Sequence, residues 1–146
     1  MSMTIKHNGL PRSFRLIKSA EFGAVLSAPK EKTLRCHSDY FSLSALKTEN
    51  RGMVRFGFTV GKHNAHLSVE RALIKRLLRE AARTKRFDIS EALTNHAYGL
   101  DINIRLKCKM PSVDNNALSK QSRKKLLKND IEALFFIFRR KIVKNQ

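Results

Sequence analysis

Cysteine is nearly absent from this sequence: only Cys36 and Cys108 occur among 146 residues. Two thiols cannot make a disulfide framework or a four-ligand zinc site, so both are expected as ordinary thiols of a reducing cytoplasm. Glycine and proline are scarce too, at six and three residues, and no internal repeat or low-complexity tract accompanies them. That excludes a linker-rich array. No run approaches the roughly 18 apolar residues of a membrane span. The opening Met1-Ser-Met-Thr-Ile-Lys6 has no hydrophobic signal core, so neither membrane insertion nor secretion is expected. Acidic residues are the most telling shortage. Twelve Asp and Glu face thirty Lys and Arg, a formal charge of +18 with an isoelectric point of about 10.6. Such a balance points at a polyanion, and composition alone leaves open a nucleic acid, an acidic membrane surface or an acidic protein.

The length fits one domain, and 42% hydrophobic residues suffice for its core. Residues 1–146 are read as a single domain, with 1–9 a flexible basic N-terminus and 143–146 frayed. Residues 10–15 read as an extended lead-in, because the residue before Pro11 is pushed away from helix. Residues 19–26 read as a short helix capped by Ser19, with Phe22, Val25 and Leu26 on one side. Residues 39–46 alternate, placing Phe41, Leu43 and Ala45 on one face and Tyr40, Ser42 and Ser44 on the other. Residues 54–60 alternate again, with Val54, Phe56, Phe58 and Val60 inward, and the two runs look like a hairpin. A loop over 61–67 carries Lys62, His63 and His66, and Ser68 is positioned to cap a helix over 69–86. Residues 100–107 give the cleanest strand pattern, residues 111–116 a loop, and residues 118–142 contain a last helix inward at Leu126, Leu127, Ile131, Leu134, Phe135 and Phe138. A further short strand is expected around 33–37. The order predicts an α+β sandwich with helices on a small sheet.

The helix over 69–86 is the informative stretch. At about 100° per residue, Arg71, Lys75, Arg79, Arg83 and Arg86 fall within an arc of roughly 120°, with Arg76 at its margin. Val69, Leu73, Ile74, Leu77, Leu78 and Ala81 lie opposite. Cations spaced about 6 Å along one flank can neutralise several phosphates at once and release their counterions. Only Glu70 and Glu80 interrupt the basic run, whereas a merely solvated face mixes signs. A nucleic-acid face is therefore the favoured reading.

Among the aromatic residues, Phe41, Phe56 and Phe58 belong to the core by strand parity, which leaves Phe22 and Tyr40 as candidates for stacking on single-stranded bases. Catalytic signals are thin. There is no Gly-rich phosphate cradle, and no paired His or carboxylates stand at metal-ligand spacing. His63 and His66, three apart in a loop, suit phosphate contact or solvent better than acid–base work. No catalytic residue and no metal ligand is expected in the chain.

Arg55-Phe-Gly-Phe-Thr-Val-Gly-Lys62, followed by Glu70-Arg-Ala-Leu-Ile-Lys-Arg-Leu-Leu-Arg-Glu80, resembles the protein subunit of bacterial ribonuclease P. That family shows Arg-x-Gly-Leu-Thr-Val with a Lys-Lys pair close behind, then an Arg-Asn-Arg signature opening a basic helix. The segments Leu10 to Phe22, Asp101-Ile-Asn-Ile and Asn116-Ala-Leu-Ser are similar to its flanks, so the likeness runs from Leu10 to the C-terminus. Ala72 and Leu73 stand where the signature has Asn and Arg, and His63 replaces the second Lys.

The resemblance implies a single-domain αβββαβα sandwich with a small mixed sheet and a left-handed β-α-β crossover. It implies a partner, the catalytic RNA, which performs a magnesium-dependent cut that matures the 5′ end of precursor tRNA with the metal held mainly by RNA. The protein would contact RNA through Lys62, Arg71, Lys75, Arg76 and Arg79, and hold the single-stranded 5′ leader in a cleft lined by Phe22, Tyr40 and Lys75. His63, His66, Arg83 and Arg86 extend that RNA face on the basis of the arc and loop. A cytoplasmic protein with no membrane and no obligate protein partner is expected. The alternatives are a ribosomal-protein-like RNA-packaging protein, a diverged paralogue without tRNA-processing activity, a metal-dependent nuclease using His63 and His66, and a duplex-DNA binder.

Overall fold

Residues 100–106 alternate Leu, Ile, Ile, Leu against Asp, Asn, Arg, and this strand, the most buried of the four, is one of the two inner strands of the sheet. The computed structural model describes residues 10–16, 19–111 and 117–144. In chain order the elements are α1 (Ser19–Ser27), β1 (Thr33–His37), β2 (Phe41–Thr48), β3 (Val54–Thr59), α2 (Ser68–Ala92), β4 (Gly99–Leu106) and α3 (Ala117–Lys144), with short 3-10 turns at Arg12–Phe14 and Lys30–Lys32. Residues 1–9, 17–18, 112–116 and 145–146 lie outside the described residues, and the expectations for 1–9, for 145–146 and for most of the 111–116 loop go with them, whereas Val143 and Lys144 are helical and end α3.

Sheet order is β1-β2-β4-β3, with β1–β2 and β2–β4 antiparallel and β3–β4 parallel. The expected hairpin between residues 39–46 and 54–60 is therefore not formed, because β4 lies between those two strands. The true hairpin is β1–β2, in which Leu34 opposes Ala45 and Cys36 opposes Leu43. Ile102 pairs with both Ala45 and Phe56, which extends the apolar face across three strands. The connection from β2 to β3 must then cross β4, a span of about two strand spacings. It crosses at Gly99: a Cβ there would lie 2.6 Å from the Met53 carbonyl oxygen and would overlap that of Asn50. Gly52, within the same connection, has a φ of +76°, a conformation natural to glycine.

One sheet face carries Leu34, Phe41, Leu43, Ala45, Val54, Phe56, Leu100, Ile102, Ile104 and Leu106, all buried together with Ile74, Leu77 and Leu78 of α2 and Leu127, Ile131, Leu134, Phe135, Phe138 and Ile142 of α3. The Phe56 and Phe135 rings stand 6.2 Å apart across that interface. Leu126, expected inward, is instead exposed, since its neighbour Leu127 occupies the core position. The opposite face carries α1, giving three layers. In α1 Val25 is buried as expected, whereas Leu26 is exposed beyond the end of the contact.

A single carboxylate ties α3 to the β1–β2 hairpin. Buried Asp130 accepts from Ser38 Oγ at 2.7 Å and from the N–H groups of Tyr40 at 3.0 Å and Asp39 at 3.1 Å. Asp130→Ala would strand three donors and is expected to cost about 3 kcal/mol, read as a lowered urea midpoint. An unchanged midpoint would show that the turn finds other acceptors.

Candidate nucleic-acid interface

Helix α2 begins one residue earlier than the spacing suggests: Leu67 is the N-cap and Ser68 is already helical, so Ser68 does not cap. Leu67 has no side-chain acceptor, and the start is closed from the other direction, by the Glu70 carboxylate accepting the Leu67 N–H at 3.2 Å. The preceding loop is anchored rather than loose. Ala65 is buried, Asn64 Nδ2 donates to the Leu106 carbonyl, and Met110 N–H donates back to the Asn64 carbonyl. Around that anchor Lys62, His63 and His66 are all exposed.

The helix is also longer than expected, ending at Ala92 rather than near Arg86, and the added turns change its rotation. Ile89 falls at about the same wheel angle as Arg71, and Ala82 within about 20° of it. Both are fully buried, so the core direction lies nearer the basic arc than the first eighteen residues imply. Val69 is consequently 69% exposed, Leu73 and Ala81 are only half-buried, and Arg71, Lys75, Arg79, Arg83 and Arg86 line the margin of the helix instead of its outermost ridge. Arg76, outside that margin, is exposed, as is Ala72. Leu73, standing where the family signature has Arg, packs against the core cluster.

Two members of the arc have internal work. Arg71 donates to the Ala65 carbonyl at 2.9 Å and the His66 carbonyl at 2.8 Å, so it holds the loop that presents the histidines. Arg86 stacks on Phe14 with 3.8 Å to the ring centre and on Phe87 with 4.7 Å. None is neutralised. Among the described residues no carboxylate forms an ion pair with Arg71, Lys75, Arg76, Arg79, Arg83 or Arg86. Glu70, inside the basic run, is drawn to Arg123 of α3 at 3.1 Å, and Lys85 pairs with Glu132.

Sequence reasoning missed Lys109, Lys120 and Arg123. With His63 and His66 they line an open cleft of about 470 Å³ beside the start of α2. Nothing local links residues 63 and 120, and only the fold brings them together. Among the described residues no group of three or more His, Cys, Asp or Glu is placed to hold a metal ion.

The face bearing α1 is a second feature. Along β3, Arg55, Gly57 and Thr59 point to it, opposite Asp101, Asn103 and Arg105 of β4. The half-buried Phe22 ring lies directly on Gly57, where a Cβ would come within 2.6 Å of Phe22 Cζ. Thr59 Oγ1 donates to Asn103 Oδ1 at 3.1 Å. Arg55 donates to both Asp101 oxygens, at 2.9 and 2.7 Å, and to Glu21 at 2.8 Å. Those bonds, Asp101's first, hold the guanidinium above its ordinary pKa against the opposing effect of burial. Tyr40 immediately precedes β2, is half-buried with part of its side chain against the core cluster, and has its N–H bound to Asp130. Lys75 is half-buried on α2, which borders β3 from the other side of the sheet.

Together the mixed sheet, the cation-lined crossover helix and the aromatic residue seated on an open sheet face define a small basic α+β domain shaped to meet a polyanion. Comparison with known proteins narrows that class. The family model for Ribonuclease P matches residues 10–130, and the chain belongs to that family. It is 41% identical over 88 residues to the ribonuclease P protein component of Nitrosomonas eutropha, covering 58% of this chain and 68% of that protein. It is 36% identical over 75 residues to that of Halorhodospira halophila, covering 51% of this chain and 58% of the relative. The Staphylococcus aureus RNase P protein superposes with a TM-score of 0.58 at 20% identity, covering 86% of this chain and 95% of that one, and so shares the fold. No helix among the described residues is long and apolar enough to cross a membrane.

Proposed function

We propose that this chain is the protein subunit of a ribonuclease P, a cytoplasmic RNA-binding cofactor that joins the catalytic RNA and the 5′ leader of precursor tRNA. The observation that carries the reading is the set of six cations along α2, none in an ion pair with a carboxylate among the described residues. Like charges so arranged repel, and phosphates remove that cost while counterions are released. The RNA supplies the chemistry, with magnesium held mainly by its phosphates. The protein lowers the magnesium needed by neutralising backbone charge. Lys62, His63 and His66 continue the RNA face around the anchored loop. Phe22, with Lys75 beyond the β3 edge, lines the path of the leader, and Tyr40, half-buried just before β2, is its third lining residue. No protein partner is needed for this role.

Reconstitution tests the reading. The full chain added to the catalytic RNA of the same source at low magnesium should restore cleavage of precursor tRNA. Cleavage by the RNA that is indifferent to the protein would instead favour an RNA-packaging role. Cleavage by the protein alone, lost in His66→Ala, would favour a nuclease. Within the same assay Phe22→Ala should weaken precursor binding by about tenfold, the worth of one stacked base, and leave mature tRNA binding unchanged. Equal losses for both RNAs would remove Phe22 from the leader path.

A further inference from the structure

We propose that Glu21 and Arg55 form a positioning clamp that sets the height of α1, and hence of Phe22, above the sheet floor where the leader would lie. The proposal rests on the leader reading given above and adds to it the residues that fix the groove's dimensions. Helix α1 has nine residues and little apolar anchorage: Val25 is its one fully buried hydrophobic residue, and Leu26 is 54% exposed. Besides the Phe22 ring on Gly57, what joins its first turn to the sheet is the ionic contact of Glu21 with Arg55. Arg55 spends Nε and Nη2 on Asp101 in a two-point fork within the sheet, and Nη1 on Glu21 of α1. The three side chains are 26%, 12% and 24% exposed, so the contact is shielded from solvent more than a surface pair would be.

The arrangement along β3 assigns each position its part. Arg55 holds the helix, Gly57 two residues on seats the Phe22 ring, and Thr59 two residues further fixes Asn103 of the floor through a hydrogen bond. Because Glu21 directly precedes Phe22, releasing the carboxylate frees the turn of helix that carries the ring. Asp101 keeps Arg55 in place when Glu21 is lost, so the two halves of the clamp can be separated.

The test uses the holoenzyme assembled from the full chain and catalytic RNA, with precursor and mature tRNA as ligands. Glu21→Ala should lower the ratio of precursor to mature affinity by about tenfold, since small misplacements of a binding group are costly. KM for the precursor should rise while kcat at saturation and affinity for the catalytic RNA stay the same. Glu21→Gln, which keeps an acceptor at the same reach, should recover part of the ratio. A Glu21→Ala protein with the wild-type ratio overturns the clamp, and so does equal weakening of precursor, mature tRNA and catalytic RNA, which would mark a merely structural residue. A wild-type holoenzyme that does not distinguish precursor from mature tRNA overturns the leader reading itself and the clamp with it.

Discussion

Alanine at Lys75, Arg76 and Arg79 together is expected to weaken holoenzyme assembly about a hundredfold, at about 1 kcal/mol for each lost charged contact. The dependence of affinity on salt should flatten as well, by about two to three units in the slope of log K against log salt. These three are chosen because, among the described residues, none has a side-chain hydrogen bond or ion pair to lose. Arg71→Ala would also release the Ala65 and His66 carbonyls, and Arg86→Ala would empty a stack between two phenylalanines, so either change would mix folding with binding. Filter binding across a salt series, with melting temperature as a check on the fold, decides the matter. A triple variant with the wild-type slope would mean that RNA meets the protein elsewhere.

Gly99→Ala should cost about 3 kcal/mol or more, a drop of roughly 10 °C in melting temperature for a chain of this size. The methyl would press on the carbonyl oxygens of Asn50 and Met53, which are backbone atoms of the crossing connection and have no rotamer to change. Met53 is further fixed because its carbonyl accepts the Leu100 N–H at 2.8 Å. Gly23→Ala provides the contrast. Gly23 lies within α1 with nothing inside 4 Å of its would-be Cβ, and alanine there should be neutral or add about 0.5–1 kcal/mol. Equal melting temperatures for the two variants would refute the crossing at Gly99.

Strand parity made the inward sets of β2, β3 and β4 readable, because alternation is a local property of each run. Pairing was not readable. Whether Phe56 faces Ala45 or Ile102 depends on residues some fifty positions away, and the short polar link between β2 and β3 looked like a turn when it is a bridge over a third strand. The basic arc on α2 was legible, yet its rotation was not. Ile89 and Leu93, beyond the polar stretch around Thr84 to Asp88, set the buried direction. Likewise Arg71 and Arg79 look alike on a helical wheel, and only the path of the preceding loop shows that one of them is already bonded. The resemblance to the ribonuclease P family supplied what periodicity could not, the crossover between β3 and β4.

Placing β4 in the middle of the sheet has a consequence for biogenesis. As the polypeptide leaves the ribosome, β1 and β2 can zip together at once, but β3, bridged only at Phe56 by Arg15, has no strand to pair with until residue 99 follows some forty positions later. Loop closure over that length precedes any reward from pairing, which makes this step slow relative to forming a local hairpin. Until then Phe56 and Phe58 lack the β4 side chains that cover them, and the sheet face beneath α1 is incomplete. A nascent chain halted before Gly99 would carry the whole cationic helix without an inner strand of the sheet it packs against, its charge displayed before its fold is complete.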